Sequence, residues 1–304
     1  MRYYYKKINE HILMKLIEYI RSDFLTYENI IQSNKFIDLI QHIISNNIYI
    51  YIELNEDLIE KNTLQNILYK ETNKIILFNS ADIDFPPPKY PYKYDKYFDI
   101  NILPSNYESL DYYDKIDLSI IDIIKKNNLH IFSYSVSINS PNITMIPLGI
   151  YHKFQHLHLK TNEKHILCYM NMGIPCDRWF GNPRKKIINM IDSSIIVNKH
   201  GLSNDEFYED ISKSKFMICP RGCGIDTYRL WDCIALGCIP IVEKYGGHEQ
   251  CSDLPILFLD TVDDFALLTE DFLNNIYDEF LLRDFNYEKC TIDYWKNKIL
   301  SFSI

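Results

Sequence analysis

The sequence predicts an α/β protein built on parallel sheets. Two observations carry this expectation. Short apolar segments alternate with helix-like ones through the second half of the chain, the pattern of strands joined by crossover helices. Many of those apolar segments are also continuous rather than alternating, as strands covered on both faces are.

Taken in order, residues 1–45 read as helical, with Ile12, Leu13, Leu16, Ile17 and Ile20 at helical spacing. NIYIYIEL (47–54) reads as a strand, and KIILFN (74–79) as a second, buried one. The latter runs into SADIDFPPPKYPY, whose prolines forbid regular structure. A helix is expected near 114–127, a strand over 129–136 and a short strand within 140–150. Residues 151–164, polar and rich in histidine, mark a boundary between an N-terminal domain (1–150) and a C-terminal one (151–304).

Beyond the boundary, strands are expected at 165–170, 194–198, 216–220, 238–242 and 255–260. Between them lie helices at 182–191, with Pro183 suited to a first turn, at 203–215, where Ser203 and Glu206 have capping-box spacing, and at 226–236, with Gly237 as its terminator. From 262 onward the chain reads as helical, and Trp295 suits a final helix that docks back on the body, against the N-terminal domain.

The totals bound the function. At 304 residues the chain has room for two domains. A formal net charge of −9 argues against a duplex nucleic-acid partner, which needs a basic face, but allows a local basic pocket for a small anion. Lys6, Lys7, Glu10, Lys15 and Glu18 interrupt the apolar start, so no secretory signal is read there. No window of 18 apolar residues suggests a membrane span. Eight scattered cysteines without an export signal read as reduced thiols in a cytoplasmic setting. Heavy use of Ile, Asn, Lys and Tyr resembles products of A+T-rich genomes such as those of some large DNA viruses and protozoa; for a viral product the setting would be the host cytoplasm.

The most informative stretch is CPRGCGIDTYRLWDCIALGCIPIV (219–242), which places Arg221, Asp226, Arg229 and Asp232 in an otherwise core-like segment. Buried charges are costly unless paired, so these pair with one another or await a charged ligand. A strand ending at Pro220 is followed by Arg221, Gly222, Cys223 and Gly224 and then by a helix start. Glycines let backbone amides approach a ligand, and a helix N-terminus attracts anions, phosphates above all. Asp226, Arg229 and Asp232 stand at i, i+3 and i+6, on one broad helix face. The competing reading is an Arg229–Asp232 surface pair worth roughly 0.2–0.5 kcal/mol. The glycines do not complete G-x-G-x-x-G, since Thr227 holds the third place, and there is no P-loop.

SKFMICPRGCGIDTYRLWDCIALGCIPIV (214–242) resembles the donor-binding segment of exostosin-like glycosyltransferases and related xylosyl- and fucosyl-transferring families. The resemblance rests on Phe216, Cys219, Pro220, Arg221, Gly222, Gly224, Asp226, Arg229, Asp232, Gly237, Cys238 and Pro240, with Asp232 standing where many relatives have Glu. It extends less sharply to MIPLGI (145–150), LSNDEFYEDISKSK (202–215) and DLPILFLD (253–260).

The resemblance implies a GT-B architecture, two Rossmann-like domains with parallel sheets facing across a cleft, and a nucleotide-sugar held on the C-terminal one. It implies transfer of a sugar from a UDP- or GDP-sugar to a hydroxyl of a glycan or glycoprotein, with no metal required. Arg221 and Arg229, helped by amides near Gly222 and Gly224, would stabilise the leaving diphosphate; Asp232 would hold ribose and Asp226 would organise the loop or touch the donor. Asn171 and Gly173 are placed like the loop that meets the diphosphate, with Arg178 and Arg184 nearby as further cations. A general base is expected from the N-terminal domain, with Asp82 and Asp84 as candidates and His152, His156 and His158 behind them.

Two alternatives accompany this reading. Asp82 and Asp84 also form D-x-D, the metal site of the GT-A architecture, which would bring Mn2+. A catalytically inactive nucleotide- or glycan-binding module is the other. A zinc site at Cys219, Cys223, Cys233 and Cys238 is disfavoured because the spacing lacks C-x2-C.

Overall fold

A computed structural model describes residues 49–53, 63–79, 85–87, 116–150, 162–173 and 183–302. The helices expected within 1–45 lie outside the described residues, as do Asp82, Asp84, His152, His156, His158, Arg178 and most of the boundary at 151–164.

The chain forms two parallel sheets. The first contains β1 (Tyr49–Glu53), β2 (Ile75–Asn79), β3 (His130–Ser133) and β4 (Ile143–Met145) in sequential order. α1 (Thr63–Lys70) precedes β2, and α2 (Ser119–Lys126) precedes β3. α2 begins later than the spacing predicts because Asp117 accepts the Ser119 amide at 3.1 Å and its hydroxyl at 2.6 Å, fixing the first turn there. Its Ile120, Ile121, Ile123 and Ile124 fall on one face and are buried. β3 stops short of the expected 129–136 because Ser135 takes a left-handed conformation, φ 46°, which ends an extended strand.

The second sheet has the order β6-β5-β7-β8-β9, with β5 (Ile166–Met170), β6 (Ile196–Asn198), β7 (Ser214–Ile218), β8 (Ile239–Glu243) and β9 (Leu257–Leu259), all parallel. α3 (Pro183–Met190), α4 (Asn204–Ser212) and α5 (Tyr228–Ala235) follow β5, β6 and β7 in turn. This is a doubly wound order compatible with Rossmann-like folds, and its crossing direction reverses between β5 and β7. α4 carries the expected capping box: Ser203 accepts the Glu206 amide and Glu206 accepts the Ser203 amide. α5 ends as Gly237 predicts, at φ 65°, with Gly237 N–H on Ile234 O and Cys238 N–H on Cys233 O.

α6 (Glu270–Leu282) and α7 (Ile292–Leu300) complete the chain. The Phe302 ring lies 3.8 Å from His130 and 5.3 Å from Phe132, while Trp295 and Ile299 share a buried cluster with Ile131 and Phe132. That cluster runs from the first sheet across to Tyr169, Met217, Trp231 and Val242 of the second. A separate cluster covers the second sheet's other face, from Cys168 and Phe216 to Phe265 and Leu273. The Lys164 ammonium ties the body together from another side, donating to Ser212 O at 2.7 Å and Leu236 O at 3.1 Å, the carboxyl-terminal ends of α4 and α5. Helix C-termini favour a cation; burial nevertheless lowers this lysine to about 8. Among the described residues no helix is long and apolar enough to cross a membrane.

The two sheets meet through backbone at a 3-10 turn, Gly246–Cys251, just past β8. Gly246 and Gly247 donate to Ser137 O at 2.9 Å and Val136 O at 3.0 Å, beyond the end of β3. Gln250 adds a side-chain clamp on β4, accepting from Met145 N at 3.1 Å and donating to Ile143 O at 3.2 Å.

Candidate functional site

A pocket of about 330 Å³ opens at the carboxyl ends of β5 and β7, where the crossing direction reverses, the place where open α/β sheets receive ligands. Parallel topology brings three helix starts to it. Arg184 comes from the first turn of α3; Asn204, Phe207 and Tyr208 come from the first two turns of α4; Tyr228, Arg229 and Asp232 come from α5. The loop before α5 supplies Gly222, Cys223, Gly224, Asp226 and Thr227, and the first half of the chain supplies Leu148. First-turn amides have no intrahelical acceptor and carry partial positive charge, which favours an anion at the starts of α3 and α5, whereas at α4 Ser203 already caps the Glu206 amide.

Two residues of this lining carry a buried polar atom that is unsatisfied among the described residues. The Arg229 Nε is buried and has no hydrogen-bond partner among the described residues, and the same holds for Thr227 Oγ1. Thr227 is the residue before α5, yet its side chain caps nothing. Buried polar groups are nearly always satisfied in a folded protein, and both of these belong to residues that line one cavity. The surface-pair reading of Arg229 is not met, because no ion pair or hydrogen bond joins Arg229 to Asp232 among the described residues.

Arg184, named in the sequence only as a cation nearby, is central. It is 7% exposed and donates through Nε to Arg221 O at 3.0 Å and through Nη1 to Gly173 O at 2.9 Å. One guanidinium therefore staples the loop after β5 to the loop after β7 while lining the pocket. Gly222 is where this packing is tight: a Cβ there would lie 3.2 Å from Arg184 Nη2.

Arg221, by contrast, does not line the pocket. It is 4% exposed, donates to Cys223 O at 3.2 Å and lies over the Tyr245 ring at 5.7 Å; Tyr245 in turn donates to Glu243 at 2.7 Å. Arg221 thus braces the glycine loop from behind. Asn171 donates to Tyr169 Oη at 3.2 Å and Gly173 O accepts from Arg184 at 2.9 Å, and neither residue is in the pocket lining.

Asp226 stands outside α5, two residues before the helix begins, although the spacing placed it inside. The reason is the use made of its carboxylate. It accepts Leu148 N at 2.7 Å and Trp231 Nε1 at 2.8 and 3.0 Å, while its own amide donates to Ser135 Oγ at 3.2 Å. It bolts the loop to the first half of the chain and lines the pocket floor. Burial pushes its carboxyl from 3.8 up to about 7, and the Leu148 and Thr227 amides and the Trp231 indole only partly offset this.

A carboxyl with a raised folded value holds its proton longer in the native state than in the unfolded one. Its contribution therefore favours folding at low pH and is lost as pH climbs from about 4 through about 7. Asp226→Asn is expected to flatten that part of the stability profile. Urea melts of both proteins at pH 5 and pH 7.5 check this; a wild-type decline no steeper than that of the variant contradicts it.

Asp232 is 3% exposed and accepts the Tyr208 hydroxyl at 3.2 Å. Asn204, Phe207, Tyr208 and Thr227 were not singled out from the sequence. The signal was present for the first three, since a capping box at Ser203 behind a parallel strand must place that helix start at the same end of the sheet as the glycine loop. Elsewhere, Cys219 and Cys233 are a buried thiol pair 3.6 Å apart between β7 and α5, and among the described residues no group of three or more His, Cys, Asp or Glu is arranged to hold a metal ion.

The comparisons with known proteins fall on this site. The family described as the RXYLT1 C-terminal domain matches residues 184–270, a stretch that starts at Arg184, includes every α4, loop and α5 residue of the pocket and ends as α6 begins. No curated protein matches the chain. The family match points to a glycosyltransferase family, reached independently of the pocket's geometry.

Proposed function

We propose that this chain transfers a sugar from a nucleotide-sugar to a hydroxyl of a glycan or glycoprotein, using the pocket at β5 and β7 for a UDP- or GDP-linked donor. The observation that carries the reading is the pair of donors without a partner among the described residues, Arg229 Nε and Thr227 Oγ1, on residues lining a pocket at three helix starts. Cleavage of the donor leaves negative charge on a diphosphate, and fixed cations and amides aimed at that charge lower the barrier. Arg229, Arg184 and the first-turn amides of α5 fill this role without a metal ion. Asp232 accepts ribose hydroxyls, as the exostosin-like resemblance suggests, and Asp226 holds the loop rather than the donor.

In this reading Leu148 marks the side from which the acceptor approaches, and the first half of the chain faces the donor across a GT-B-type cleft. The general base for the acceptor hydroxyl comes from that half, with Asp82 and Asp84 proposed for it. The reaction also depends on holding donor and acceptor in line, which is the use of a second domain.

A thermal-shift panel of nucleotide-sugars and nucleoside diphosphates, with and without Mn2+, tests the proposal. The expected result is stabilisation by one nucleotide series irrespective of metal, with nucleoside diphosphate released when the matching sugar and a hydroxyl acceptor are supplied. Stabilisation only with Mn2+, abolished by Asp84→Ala, would move the donor site to the D-x-D pair. Binding without any release of diphosphate would make the chain a binding module.

A further inference from the structure

The pocket contains a pairing that ought to form and does not. Arg229 and Asp232 are three residues apart on α5, a spacing at which opposite charges ordinarily meet, and both line the pocket. Were they to pair, the carboxylate would neutralise the guanidinium, and the cavity would lose that positive charge. Instead the Arg229 Nε has no partner among the described residues, while Asp232 accepts a hydrogen bond from Tyr208, a residue of the neighbouring helix.

We infer that Tyr208 is a positioning residue of this pocket: its hydroxyl holds the Asp232 carboxylate away from Arg229, so that Asp232 meets the cis-diol of a ribose and Arg229 meets its diphosphate. This rests on the reading of the pocket as a nucleoside-diphosphate site. Tyr208 is suited to the task. It lies in the second turn of α4, is buried, and packs edge-on against Phe207 at 5.1 Å, so its ring has little freedom. Burial and the adjacent Asp232 push its hydroxyl far above the ordinary tyrosine range, so the proton remains available to the carboxylate across any working pH. Aspartate has the shorter stem of the two acidic residues, and an outside donor that fixes its direction matters correspondingly more.

The test is calorimetric titration of the full chain with UDP, GDP, their 2′-deoxy forms and inorganic pyrophosphate, for wild type, Tyr208→Phe, Asp232→Asn and the double variant. Tyr208→Phe should weaken the ribonucleoside diphosphates about five- to tenfold, the scale of one hydrogen bond to a charged group. It should also shrink the ribo over 2′-deoxy preference towards unity and weaken pyrophosphate, as Asp232 turns to Arg229. The double variant should bind pyrophosphate as well as Asp232→Asn does, because no carboxylate is left to capture the guanidinium.

A merely structural tyrosine would leave the ribo preference of Tyr208→Phe unchanged, or make the double variant weaker than Asp232→Asn; either result overturns the inference. Should Tyr208→Phe alone fail to fold, the comparison of Asp232→Asn with the double variant still decides, since neither leaves a carboxylate without its donor. If wild type binds none of the nucleotides, the reading of the pocket fails and this inference with it. That outcome is distinct from tight wild-type binding that Tyr208→Phe does not disturb.

Discussion

Arg229→Ala is expected to weaken nucleoside-diphosphate binding by roughly 1.5–3 kcal/mol, about one to two orders of magnitude in Kd. The guanidinium lines the pocket, and its Nε has no acceptor among the described residues. Removing it takes away a charge-assisted contact to the ligand and, among the described residues, strands no acceptor of the Nε. The fold should therefore survive: α5 keeps Leu230, Trp231, Cys233 and Ile234 in the core, and its termination at Gly237 is untouched. Titration of nucleoside diphosphate alongside a thermal melt separates the two effects. A variant that melts early and binds normally per folded molecule would make Arg229 a structural residue.

Gly247→Ala is expected to damage stability instead, by roughly 2–5 kcal/mol, from overpacking together with a strained or broken buried backbone bond. A Cβ at this position would stand 2.2 Å from Val136 O and 2.8 Å from Val136 Cβ, both closer than atoms tolerate. The clash falls on backbone, so no side-chain rotation relieves it. Gly246 is as tightly held, with a Cβ placed 2.3 Å from Asn139 N and 2.4 Å from Ile138 C. These glycines are where the turn after β8 seats against the first sheet, and the Leu148–Asp226 hydrogen bond depends on the same seating. A fall in Tm of at least about 5 °C is expected; an unchanged Tm would mean that the two halves are not joined there.

Local chemistry made much of the second sheet legible beforehand. Ser203 with Glu206 announced the start of α4, Gly237 announced the end of α5, and the apolar runs at 165–170 and 238–242 became β5 and β8. Each of these signals is settled by neighbours within a few residues. Readings failed where a distant partner decides. α5 begins at Tyr228 rather than at Asp226 because Asp226 is spent on Leu148, 78 residues away. β3 ends early because Ser135 turns to meet the Asp226 amide.

The site shows the same division. The segment 219–242 marked the pocket and supplied Arg229, Asp232 and the glycine loop. Spacing does not tell which of several arginines faces a cavity. Arg221 lies beside the loop glycines in sequence, yet its side chain points behind them to Tyr245, while Arg184, 37 residues earlier, reaches across to the pocket. Tyr208 was hidden for a related reason, since a tyrosine in an amphipathic helix reads as ordinary core until the sheet order places that helix beside α5.

The central claim is that the mouths of α3, α4 and α5 grip a diphosphate. A crystal structure of the chain with its preferred nucleoside diphosphate tests it most directly. The diphosphate is expected within hydrogen-bond distance of Arg229 Nε and Thr227 Oγ1, with the ribose turned towards Asp232 and Tyr208. A nucleotide bound elsewhere on the molecule, with Arg229 folded back onto Asp232 in the vacant pocket, would contradict the account.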